Sequence, residues 1–173
     1  MLQSDSRPSP LLAADEPAPA RLYRPEGRAP FLLIADHAGR RVPRALGQLG
    51  LERDAFDLHI AWDIGIEGVL AALSELLDAT GIAQVYSRLV IDCNRAPDAE
   101  RAIVAVSDGI HIAGNVALDA QARAQRASEI HAPYQQAIAT HLDATHRPYL
   151  VALHSFTPQM QGHKRPWHCG ILH

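Results

Sequence analysis

The sequence predicts an α/β protein, a three-layer sandwich built around a mainly parallel (mixed) sheet. Short continuous apolar runs recur along the chain, as in strands covered on both faces. Amphipathic helical patterns separate them. Each run also ends in polar residues of the kind that gather beyond the carboxyl edge of such a sheet. At 173 residues, 47% of them hydrophobic, the chain has the size of one domain with a sizeable core.

The elements follow in order. Residues 1–20 carry Pro8, Pro10, Pro17 and Pro19 among Ser, Asp and Ala, which predicts a loose arm before a domain spanning 21–173. Phe31-Leu32-Leu33-Ile34-Ala35 is the first expected strand. From Asp63 to Leu77, Ile66, Val69, Leu70, Leu73, Leu76 and Leu77 recur at three- and four-residue steps, which predicts a helix ended by Gly81. Leu89-Val90-Ile91, with a lead-in from Ile82, is the second expected strand. Residues 118–144 are rich in Ala and Gln and should be helical, kinked or split at Pro133. Tyr149-Leu150-Val151-Ala152-Leu153 is the third strand, and Cys169–Leu172 a weaker fourth. No internal repeat is present.

Composition excludes several classes. The formal charge is −3, aromatic residues make up 5%, and basic residues are dispersed apart from Arg40–Arg41, so no nucleic-acid partner is expected. No stretch approaches the roughly 18 apolar residues of a membrane span, and the N-terminus lacks a signal-peptide pattern. Cys93 and Cys169 form no spaced framework, which fits a reducing compartment. A cytoplasmic protein acting on a small molecule is the expectation. There is no Gly-rich phosphate loop, and no G-x-S-x-G elbow surrounds Ser155.

Ten histidines, against about four from ordinary usage, direct attention to metal or acid–base chemistry. The first run is followed by Asp36 and His37, the second by Asp92, Cys93, Asn94 and Arg95, the third by His154 and Ser155. Two histidines at strand ends suit a first-row metal such as zinc, which in catalytic sites takes three protein ligands and a water. Asp63, which starts a helix after His59 and Trp62, is a third ligand of the right type; Asp36 and Asp92 are others. Asn94-Arg95 reads as a substrate-binding pair, because a guanidinium fork matches a carboxylate in bidentate fashion. Arg88 is a second anion contact. His163 and His168, in a Gly/Pro/Trp loop after His154, are candidates to line the pocket. His111, His131, His141 and His146 are read as structural or solvent-exposed, and Gly39 and Gly162 as turn residues.

Four segments carry a family resemblance. They are Asp36-His37-Ala38-Gly39-Arg40-Arg41-Val42-Pro43, His59-Ile60-Ala61-Trp62-Asp63-Ile64-Gly65, Ser87-Arg88-Leu89-Val90-Ile91-Asp92-Cys93-Asn94-Arg95 and Leu153-His154-Ser155-Phe156-Thr157-Pro158. Together with Arg165-Pro166-Trp167-His168, they resemble the N-formylglutamate amidohydrolases from about residue 22 onward. That family is similar in fold to zinc carboxypeptidases and aspartoacylases, which implies a phosphorylase/hydrolase-like fold. The resemblance also implies zinc-dependent hydrolysis of an N-acyl amino acid, for the named family N-formyl-L-glutamate to formate and L-glutamate. Asp92-x-Asn94-Arg95 looks like the carboxypeptidase element in which Asp orients a zinc histidine and Asn-Arg holds the substrate carboxylate. Carried over, Asp92 orients His37, and His37, Asp63 and His154 form the metal and catalytic set.

Two departures matter. Carboxypeptidases place Glu three residues after the first histidine, where this chain has Arg40. Family members also run well beyond this length, so the chain reads as truncated at its C-terminus, with the general base expected outside it. A small sheet with an exposed edge near Cys169–Leu172 is then expected to self-associate. Non-catalytic binding of N-acyl amino acids and a Ser155-dependent hydrolase are the alternative functions.

Overall fold

The computed structural model describes residues 9–145, 149–160 and 162–172. The strands and helices run β1 Ala20–Tyr23, β2 Phe31–Ala35, α1 Ile66–Leu76, β3 Thr80–Gln84, β4 Val106–Ser107, β5 Ile110–His111, α2 Ala120–Arg126, α3 Ala132–Thr145, β6 Tyr149–Ala152, β7 Gln159–Met160 and β8 His163–Lys164. The main sheet has the order β1-β3-β2-β6. β2 pairs in parallel with both β3 and β6, and β1 is antiparallel to β3. This is the mixed, mostly parallel α/β sheet the sequence predicts. None of the described helices is long and apolar enough to cross a membrane.

Strand alternation divides β2 between two cores. Leu33 and Ala35 pack with Ile66 and Leu70 of α1. Leu32 and Ile34, with Ile82 of β3, pack with Ile130, Tyr134 and Ile138 from the helices on the other face. Both faces of the central strand are thus covered, which is why Phe31–Ala35 reads as an unbroken apolar run. Helix α1 buries the stripe Ile66, Leu70 and Ser74, at the four-residue spacing of one helix face. It does not end at Gly81. The left-handed turn falls at Asp78 (φ 50°), and Gly81 lies inside β3, where an added Cβ would meet Leu70 at 3.1 Å.

Three other expectations are corrected. Leu89–Ile91 is buried but is no strand; the strand beside β2 is Thr80–Gln84. Side chains satisfy its carbonyls instead of a ladder. Asn115 Nδ2 donates to the Leu89 oxygen at 2.8 Å, and Arg126 Nη1 donates to the Val90 oxygen at 3.0 Å. The apolar run therefore records burial, not strand pairing. Cys169–Leu172 forms no strand either, and Ile171 and Leu172 are exposed. Finally, the arm is not loose where it is described. Leu11 is buried, the backbone N–H groups of Leu11 and Leu12 donate to the Glu129 carboxylate at 2.8–3.0 Å, and the Tyr86 hydroxyl donates to the Pro17 carbonyl at 2.8 Å.

The long helical stretch divides as expected near Pro133. A π-helical turn, Ala127–His131, separates α2 from α3, and the missing proline N–H is the physical reason for a wider turn there. His146 lies outside the described residues. Gly162 (φ 83°) makes the tight β7–β8 turn. Gly39, in contrast, has no left-handed φ; it permits a close approach to the Gln84–Val85 backbone.

Strand β6 is an edge of the main sheet, and Tyr149, Leu150 and Val151 are all exposed. Such an apolar edge is a template for pairing with another chain. The 173-residue chain is expected to self-associate with rising concentration, and Leu150→Lys to shift it towards monomer. Sedimentation velocity checks this; a wild type that stays monomeric at about 100 μM, far above the Kd expected of a specific interface, contradicts it.

Candidate active site

Loops at the carboxyl ends of β2, β3 and β6 meet over one end of the sheet. The backbone N–H of Asp63 donates to the His37 carbonyl at 2.8 Å, which ties the segment before α1 to the turn after β2. The Leu153 N–H donates to the Ile34 carbonyl at 2.8 Å and extends the β6 pairing as far as His154. Ser87 anchors the third segment, donating its hydroxyl to the Ala61 carbonyl at 2.7 Å. Gln84 locks the exit of β3 by accepting the Val85 and Tyr86 N–H groups at 2.8 and 3.0 Å.

These constraints bring His37, Asp63 and His154 together, with one donor atom from each lying within 4.8 Å of the others. Asp63 Oδ2 lies 2.9 Å from His154 Nδ1 and 3.6 Å from His37 Nδ1. The other nitrogen of His37, Nε2, is 2.7 Å from Asp92 Oδ1. A carboxylate only accepts, so Nε2 carries a proton and the neutral ring presents its lone pair at Nδ1. That Nδ1 is buried and has no hydrogen-bond partner. On His154, Nε2 faces Asn94 Nδ2 at 3.4 Å and Asp36 Oδ2 at 3.7 Å.

The electrostatics follow from burial set against pairing. Burial alone pushes the Asp63 carboxyl up, but the hydrogen bond from His154 and the nearby His37 imidazole outweigh it and bring it down to about 2. Burial opposes ionisation of Asp92 too, yet His37 and Arg88 hold it far below the usual carboxylate range. For His37, burial disfavours the charged ring, but Asp63 and Asp92 win and raise its pKa. Asp36 moves the other way: burial raises it. Two ionised carboxylates flanking two imidazoles make a cation-seeking centre.

The expected anion contacts separate. Asn94 and Arg88 line the same cavity as His37 and His154, with a volume of about 750 Å³. Arg95 lines a smaller adjoining one of about 140 Å³, its Nε 3.4 Å from Asp92 Oδ2. Arg88 is held by Asp92 Oδ2 at 3.0 Å and Asp63 Oδ1 at 3.5 Å. Ser155 lines the large cavity, but among the described residues no histidine hydrogen-bonds its hydroxyl. Burial pushes the Cys93 thiol up to about 12, leaving it no thiolate character near neutrality. His163 and His168 are outside the residues that line the large cavity; His59 is among them. Arg40 does not reach the centre; it pairs with Asp57 and stacks 5.1 Å from the Trp62 ring centre.

Sequence reasoning missed Arg101, Ser107 and Asp108, which line both cavities. The available signal was Asp108-Gly109. Both residues have positive φ, 46° and 77°, and Asp-Gly between short strands is a tight-hairpin signature. The β4–β5 hairpin carries Ser107 and Asp108 to the cavity wall.

A family model for N-formylglutamate amidohydrolase matches residues 29–173. Among solved structures, a gene product of Agrobacterium tumefaciens is similar with a TM-score of 0.85 and 33% identity, covering 90% of this chain and 63% of that one. The N-formylglutamate amidohydrolase of Ralstonia eutropha JMP134 is similar in fold, with a TM-score of 0.64 and 19% identity, covering 80% of this chain and 57% of that one. The chain therefore spans less than two thirds of the length of either. No curated protein matches the chain significantly.

Proposed function

The chain belongs to the N-formylglutamate amidohydrolase family, and on that premise we propose that it supplies the metal-binding and substrate-binding part of a zinc-dependent amidohydrolase. The proposed reaction is cleavage of the amide of an N-acyl amino acid, with N-formyl-L-glutamate, yielding formate and L-glutamate, as first choice. The carrying observation is the buried, unpartnered His37 Nδ1, facing Asp63 and close to His154, on a ring whose other nitrogen is fixed by Asp92.

The residues present fit zinc. Two imidazoles and a carboxylate form a catalytic-type set with one position left for water. Zinc bound there would polarise the acyl carbonyl and lower the pKa of its water towards about 7. The protein's own residues do the rest. Asp92 fixes the His37 tautomer, which keeps Nδ1 free as a ligand atom. Asn94 and Arg88, on the wall of the same cavity, bind the amino acid's α-carboxylate and hold the amide in one orientation. Arg95 reinforces this from the adjoining cavity through Asp92. A reducing, cytoplasmic setting belongs to the same proposal and suits two free thiols, Cys93 and Cys169.

The test is zinc titration by calorimetry. One site per chain is expected, with proton release on binding. The sign follows from His37: its neighbours raise its pKa in the metal-free chain, so a proton occupies the ligand position in a growing share of molecules as pH falls. Zinc affinity should therefore weaken from pH 8 to pH 6, and the observed heat should depend on the buffer's ionisation enthalpy. A chain that takes up no zinc at pH 8 fails the proposal.

A further inference from the structure

We infer that Arg101 is the specificity-determining residue of this site, receiving the side-chain carboxylate of an acidic N-acyl amino acid. The inference rests on the hydrolase reading above and adds to it a residue outside the four resemblance segments.

Arg101 lies in a short 3-10 helical turn, Glu100–Ala102, and lines both the large cavity that holds His37 and His154 and the smaller one beside Asp92. Other cations on these walls are already engaged. Arg88 is tied to Asp92 and Asp63, and Arg95 Nε faces Asp92. Arg165 packs 5.3 Å from the Phe156 ring centre. Arg101, among the described residues, is in no ion pair and no side-chain hydrogen bond. An uncommitted guanidinium on a cavity wall is a planar fork without an acceptor, the complement of a carboxylate.

The neighbouring wall fits the same use. Ser107, presented by the β4–β5 hairpin on the same wall, adds a neutral hydroxyl donor. Asp108 follows it and would repel an anion, but its carboxylate pairs with His59 at 3.3 Å. Arg88, Asn94 and Arg101 all line the large cavity, with one carboxylate of the ligand assigned to Arg88 and Asn94 and the other to Arg101. A neutral side chain would form no bidentate ion pair with Arg101, so a preference for acidic over isosteric neutral ligands follows.

The experiment compares binding of N-formyl-L-glutamate and N-formyl-L-glutamine by calorimetry to the wild-type chain, Arg101→Ala and Arg101→Lys. The wild type should favour the glutamate compound by at least about tenfold. Arg101→Ala should weaken that compound by about 10–100-fold while leaving the glutamine compound unchanged, and Arg101→Lys should restore part of the preference. Equal wild-type affinities, equal losses for both compounds, or binding of neither overturns the inference. Zinc titration of the same wild-type chain separates acidic-ligand selection from the hydrolase proposal. No zinc uptake at pH 8 removes the hydrolase proposal, whereas an Arg101-dependent binding preference would still establish acidic-ligand selection.

Discussion

Replacing His37 with alanine is expected to remove zinc from the chain and to abolish any formate release it supports. The imidazole has two commitments, Nε2 to Asp92 at 2.7 Å and Nδ1 towards Asp63 at 3.6 Å. Alanine removes both and leaves two buried carboxylates with less to offset their desolvation. Zinc content should fall from one per chain to none. Activity should fall by more than the roughly 10–100-fold expected for Asp92→Asn, which keeps the His37 imidazole and perturbs its orientation together with the Arg88 and Arg95 contacts. Metal analysis of both variants, with circular dichroism as a folding control, reads the contrast. A folded His37→Ala chain holding a full equivalent of zinc would rule out the proposed ligand set.

Gly39→Ala is expected to cause the largest loss of stability. A Cβ at Gly39 would overlap the Val85 carbonyl and stand 2.7 Å from the Gln84 oxygen. Both are backbone atoms at the end of β3, so no side chain can turn away. The turn carrying His37 would have to separate from β3, disturbing the Arg41–Val85 and Ser87–Arg41 backbone hydrogen bonds. A cost of about 3 kcal/mol or more is a large share of a domain's 5–15 kcal/mol, and lowers Tm by roughly 6–12 °C at this size. Gly68→Ala provides the internal contrast. Gly68 lies within α1 with nothing inside 4 Å of an added Cβ, so alanine there should stabilise by about 0.5–1 kcal/mol. Thermal melts of the two variants should move in opposite directions; a Gly39→Ala melt within about 2 °C of wild type, less than the effect of 1 kcal/mol, would refute the steric account.

Phe31–Ala35 was readable because a strand buried in a sheet repeats apolar residues without interruption, and Tyr149–Ala152 because it carries the same kind of run although it lies exposed at the sheet edge. Thr80–Gln84 was hidden, since Thr-Gly-Ile-Ala-Gln has only one bulky apolar side chain and owes its place to the space Gly81 leaves for Leu70. Leu89–Ile91 misled for the converse reason. It is apolar because it is buried, and its carbonyls are satisfied by Arg126 and Asn115, residues far along the chain that no local pattern couples to it. In the site, His37, Asp63, Asp92 and His154 were legible from position after apolar runs and from the quoted segments. Arg101 was not, because an exposed arginine gains meaning only from having no partner on a cavity wall, a property of three-dimensional arrangement. Asn94 and Arg95 are adjacent in sequence, and that adjacency concealed their assignment to different cavities.

The pairing of β2 carries a consequence for synthesis. On one side β2 joins β3, but on the other its register partner for Phe31 is Tyr149. Roughly 120 residues must be translated before that second edge has its strand, about 6–24 s at 5–20 residues per second. Throughout that interval the most apolar strand of the nascent chain has an open ladder, as does the cleft between His37 and the still unmade His154. Codon choice between these two strands, and the supply of a chaperone that covers extended apolar segments, should therefore affect the yield of folded chain.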